Sequence, residues 1–95
     1  IFTDKIESKI FTLDELLKRI EFWKTLGDKI VFTNGCFDIL HQGHVHLLAS
    51  CTEFGDRLIV GLNSDSSVKE LKGPSRPVNN QDSRAVLLAA TQFVD

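Results

Sequence analysis

Apolar side chains recur at Leu13, Leu16, Leu17, Ile20 and Trp23, the i, i+3, i+4, i+7, i+10 spacing of one helical face. Thr12, with Glu15 three positions on, has the form of a capping box, so a helix is predicted to begin there and to end near Gly27. Asp14, Lys18, Arg19, Glu21 and Lys24 fill its other, solvated face. The period then changes. Residues 29–33 (KIVFT) and 57–62 (RLIVGL) are short apolar runs rich in β-branched and aromatic residues, predicting strands buried on both faces, the habit of a parallel sheet. Between them Val45, Leu48, Ala49 and Thr52 return to helical spacing, so the unit reads strand, glycine-bearing loop, helix, strand. Such a βαβ crossover is right-handed and implies a layered α/β fold.

Beyond the second strand, residues 64–71 predict a short helix, and 72–80 (KGPSRPVNN) a loop, since they hold both prolines of the chain. Asn80 is placed to cap a last helix over 81–92, with Asp82 and Ser83 in its first turn, and residues 93–95 (FVD) read as a third strand just begun. No repeat, low-complexity tract or linker divides residues 1–95, which are expected to form a single domain. The fold class predicted is α/β, a Rossmann-like doubly wound parallel sheet with flanking helices. Two strands and the start of another leave an apolar edge, so roughly a third of the domain is expected beyond residue 95 or from a partner. Ile rather than Met at position 1 points the same way, to a fragment or an unseen beginning.

Composition narrows the function. A chain of 95 residues with 42% hydrophobic content supports one small core. Eleven Lys and Arg against thirteen Asp and Glu give a net charge of -2, too little positive charge for a duplex-binding surface, so no nucleic-acid partner is expected. The longest apolar runs, such as 86–90, fall far short of the roughly 20 residues that cross a bilayer, and the N-terminus has no secretory pattern. A cytoplasmic protein without membrane contact is expected. Cys36 and Cys51 flank the central helix, match no zinc or redox spacing, and read as reduced thiols.

The candidate chemistry lies in residues 34–44, NGCFDILHQGH. This segment leaves the first strand at its carboxyl end, where open α/β sheets bind ligands. Gly35 lets the backbone approach a ligand, and the helix opening at Gln42 or Gly43 offers free N–H groups and partial positive charge, so an anion is expected there. His41 and His44, three apart across the loop-to-helix junction, can face one point, with Gly43 leaving the approach clear. Beside a polyphosphate their imidazoles are expected to be pushed toward the protonated, donating form. Other readings stand beside this one: turn residues for the glycines, a local loop cap for Asp38, a small residue in a tight loop for Cys36. A zinc site from His41, His44 and His46 lacks a fourth ligand, and His46 turns to another helix face, so no metal site is expected in the protein itself. Neither the P-loop pattern nor the dinucleotide glycine fingerprint is present, which excludes P-loop kinase chemistry and hydride transfer.

GCFDILHQGH resembles the G-x-F-D-x-x-H-x-G-H signature of the cytidylyltransferase-like nucleotidyltransferases. FTNGCFDILHQGHVHLL and GLNSDSSVKELKGPSRPVNNQDSRAVLLAA together are similar to the adenylyltransferase domain of bacterial ADP-heptose synthases. The resemblance implies transfer of AMP from ATP to D-glycero-β-D-manno-heptose 1-phosphate, with Mg²⁺ carried by the ATP phosphates, for lipopolysaccharide core assembly. By motif position it implies that His41 and His44 stabilise the transition state. Asn34, Gly35, Cys36, Phe37 and Gly43 would lie along the nucleotide phosphates, and Asp38 would order the loop. Asp65 would stand at the substrate pocket, while Lys72 and Arg84 would hold phosphate oxygens. The implied partners are ATP, a sugar phosphate and a second copy in a homodimer. A cytidylyltransferase acting on glycerol 3-phosphate or a nucleotidyltransferase for another phosphate acceptor, and a non-catalytic nucleotide-binding module, are the alternatives.

Overall fold

A computed structural model describes residues 1–95, along which run α1 (Phe2–Glu7), α2 (Leu13–Thr25), β1 (Ile30–Gly35), α3 (Gln42–Cys51), a 3₁₀ turn at Thr52–Phe54, β2 (Arg57–Leu62), α4 (Asp65–Lys72) and α5 (Gln81–Ala89). α2 starts as its sequence requires. Thr12 Oγ1 accepts from the Glu15 amide at 3.3 Å, and Thr12 N donates to Glu15 Oε1 at 2.9 Å, which satisfies amides that a helix start leaves open. Asn80 and Ser64 cap α5 and α4 in the same manner, accepting from Ser83 N and Ser67 N. α1 has no buried residue and was not foreseen, because six residues are too few to show a period.

The two strands pair in parallel, from Ile30 opposite Arg57 to Gly35 opposite Leu62. β1 therefore runs two residues beyond the expected 29–33, because Asn34 and Gly35, turn formers by type, still pair with Gly61 and Leu62. α3 and α5 lay Leu48 and Leu88 against Leu58 and, with Phe37 and Val94, form the core, flanked by Val31, Val60 and Leu62. Burial on both faces holds in β2, where the adjacent Leu58 and Ile59 point to opposite sides and are both buried, but is corrected in β1, where Phe32 is 64% exposed. α2 meets β1 there and buries Trp23, but does not reach over Phe32.

The last helix stops at Ala89 rather than at 92. Thr91 directs both its amide, at 3.1 Å, and its hydroxyl, at 2.7 Å, to the Leu88 carbonyl, which closes the turn. Residues 93–95 form no strand. Asp95 nevertheless lies beside β2, donating its amide to Leu58 O at 2.9 Å and accepting from Leu58 N at 2.8 Å through its carboxylate. The side-chain bond takes the place that a ladder partner's carbonyl would fill.

Candidate active site

Residues 36–41 carry the chain from the carboxyl end of β1 into α3. Phe37 (φ 46°) and Ile39 (φ 58°) have left-handed backbone, which costs an L residue about 1–2 kcal/mol and marks a loop fixed by its surroundings. Asp38 between them does much of the fixing. Its side chain is 1% exposed; Oδ2 accepts from Arg76 Nε at 2.6 Å and from Val78 N at 2.8 Å, and Oδ1 from Asn79 N at 3.0 Å. Burial alone would raise the Asp38 pKa, but the Asn79 and Val78 amides and the Arg76 guanidinium outweigh it and hold it at about 2.

The histidines cap α3 on each other. Gly43 N donates to His41 Nδ1 at 3.0 Å, and His41 N donates to His44 Nδ1 at 3.1 Å. Their rings stack with centroids 3.9 Å apart and planes 29° from parallel, and the Phe37 ring lies 5.2 Å from that of His44. Gly43 permits this packing, since a Cβ there would stand 2.8 Å from His41 Cε1. A nitrogen that accepts an N–H carries no proton of its own, so each neutral ring has its hydrogen on Nε2 and offers it outward. Burial first, then the neighbouring His41 and Lys72, lower the His44 pKa and favour its neutral ring in the unliganded site.

These groups surround one hollow of about 500 Å³, lined by Asn34, Gly35, Cys36, Phe37, Asp38, Ile39, His41, His44, Leu47, Lys72 and Arg76. Eight residues named from the sequence thus come together. Arg76 was not among them: it sits in a proline-flanked loop, and its partner is 38 positions away. Gly43 lies under the His41 ring rather than on the wall, and His46 is 3.3 Å from Gln42 Nε2. Another cleft, of about 520 Å³ between α2, β2 and α5, is walled mostly by apolar side chains and gathers no such set of donors.

Asp65 and Arg84 are not on the wall either. Arg84 is fully buried, and Nε donates to Asn79 O at 3.0 Å, Nη1 to Cys36 O at 2.6 Å and Asn63 O at 2.9 Å, and Nη2 to Asp65 Oδ1 at 2.8 Å. Four of the five N–H groups of a guanidinium are thereby used inside the protein, leaving little for the phosphate contact expected of it. Arg84 ties the ends of both strands to the start of α4 and to the loop before α5.

A parallel βαβ unit with such a hollow at the carboxyl end of β1 defines a nucleotide-binding α/β class, and the chain belongs to the cytidylyltransferase-like family, which matches residues 32–95. Its relatives are more particular. It is 59% identical over 88 residues to the bifunctional protein HldE of Aliarcobacter butzleri and 61% identical over 89 residues to that of Campylobacter fetus, covering 93% and 94% of this chain. The chain spans only 18% and 19% of those two relatives. Among solved structures, it resembles a lipopolysaccharide core biosynthesis protein from Thermoplasma volcanium, at 34% identity and a TM-score of 0.65, over 73% of this chain and 55% of that one.

Proposed function

We propose that this hollow holds the triphosphate of ATP and that the protein transfers AMP to a sugar 1-phosphate, D-glycero-β-D-manno-heptose 1-phosphate, forming ADP-heptose and pyrophosphate for the lipopolysaccharide core. The stacked His41 and His44, each with a free Nε2–H beside Lys72, are the observation that carries this reading. The name of the solved structure this chain resembles, a lipopolysaccharide core biosynthesis protein, supports the same pathway.

The acceptor phosphate has a second pKa near ~6 and is mostly a dianion at neutral pH, so attack needs no general base. A bond forms between an acceptor oxygen and the α-phosphorus as the bond to pyrophosphate breaks. What the protein must supply is position and compensation of charge. His41 and His44 donate to the oxygens of the α-phosphate, and Lys72 offsets charge on the departing pyrophosphate. Asp38 and Arg84 act as positioning residues that hold the loop bearing the histidines. Mg²⁺, when bound, neutralises phosphate charge; Asp38, the one carboxylate on the wall, has both oxygens engaged, so the ion would arrive on ATP rather than on a carboxylate of this chain. No helix is long and apolar enough to cross a membrane; a cytoplasmic location and the homodimer implied by the family resemblance belong to the same proposal.

Pyrophosphate release by the full-length protein, with ATP or CTP and a panel of sugar and polyol phosphates, tests it. Release that requires ATP together with the heptose 1-phosphate is expected. Release only with CTP and glycerol 3-phosphate, or nucleotide binding with no release under any acceptor, would replace it with one of the alternatives. Sedimentation of the same sample reads the dimer.

A further inference from the structure

Arg76 stands on the wall of the hollow with His41, His44 and Lys72, yet its side chain makes a single hydrogen bond inside the protein, from Nε to Asp38 Oδ2. An arginine serving only as an ion-pair partner commonly presents two nitrogens to its carboxylate. Here Val78 N and Asn79 N share the Asp38 carboxylate, the Arg76 grip is through Nε alone, and Nη1 and Nη2 have no partner in the protein. The side chain is 31% exposed, against 1% for Asp38, so its inner part is fixed and its outer edge is accessible.

The charge balance of the hollow gives that edge a use. Apart from the histidines, its formal charges are Lys72, Arg76 and the opposing Asp38, a poor match for two polyanions held in contact. A planar fork fits phosphate oxygens two at a time, which Lys72 cannot do. Resting on the reading above, we propose that Arg76 is a second phosphate anchor of the site, held through Nε by Asp38 and presenting Nη1 and Nη2 to a phosphate group. That group is either the acceptor's phosphate or the β/γ portion of the nucleotide.

Full-length protein carrying Arg76→Lys or Arg76→Gln tests this by equilibrium titration with MgATP and, separately, with the sugar phosphate, alongside unfolding temperatures. One titrant should bind about 10- to 100-fold more weakly in both variants, the effect of a lost charge-assisted pair, while the other changes by less than about twofold. The weakened titrant identifies the source of the phosphate. Affinities unchanged for both, full affinity in Arg76→Lys, or an equal loss for both that follows a lowered unfolding temperature would each overturn the assignment. Binding is read without turnover. A protein that binds phosphate through Arg76 but releases no pyrophosphate would sink the transfer reading and leave the anchor standing.

Discussion

Asp38 has a folded pKa of about 2 against an ordinary 3.8. Its carboxylate therefore stabilises the fold fully above the ordinary value, and that contribution is lost as pH falls from about 4 toward 2. Unfolding temperatures of the native protein and of Asp38→Asn, followed from pH 7 to pH 2, should differ most at neutral pH and converge over that interval. A gap that stays constant down to pH 2 would show that the carboxylate charge is not what holds the loop. The sequence suggested a loop-ordering role for Asp38 only through resemblance, and left a local cap open beside it. Its three donors lie 38 to 41 positions downstream, and no spacing rule reaches that far. Arg76 stayed hidden for the same reason.

The start of α3 is an unusual helix end, because imidazoles rather than a hydroxyl or carboxylate cap it. Gly43→Ala separates stability from function here. Alanine is the better helix former by about 1 kcal/mol, and the atom its Cβ would meet belongs to a side-chain ring that can swing away. Because the swing also gives up the Gly43 N to His41 Nδ1 cap, worth about 1 kcal/mol, thermal stability should change little while turnover falls at least about tenfold, as expected when a reacting geometry is displaced by a fraction of an ångström to an ångström. Unchanged turnover would mean that the His41 orientation has no bearing on the reaction. At this scale much was legible: the Thr12, Ser64 and Asn80 helix starts, both strands and the αβ alternation follow from local period and capping chemistry. Element ends were less so, since Asn34 and Gly35 remain in β1 through pairing, and Thr91 closes α5 through one carbonyl.

Across the whole molecule, Arg84 joins four segments that the hydrophobic core alone does not fix in register. Arg84→Met keeps much of the volume but leaves the carbonyls of Cys36, Asn63 and Asn79 and the Asp65 carboxylate without their donor. Denaturant unfolding should show a loss of about 3 kcal/mol, the lower end for breaking a buried pair because Asp65 is 41% exposed. A loss below about 0.5 kcal/mol would contradict the bracing role. The sequence placed Arg84 near the site but aimed it at phosphate; its inward direction depends on carbonyls brought together only when both strands and α4 are assembled.

The proposed function rests on two imidazoles that donate from Nε2 to a phosphate under attack. Single-turnover transfer by full-length His41→Ala and His44→Ala, measured at saturating ATP and acceptor with the ATP dissociation constant taken separately, tests that most directly. Each variant should slow transfer by about 10²- to 10³-fold, with a much smaller change in ATP affinity. Transfer slowed less than about threefold in both would contradict it.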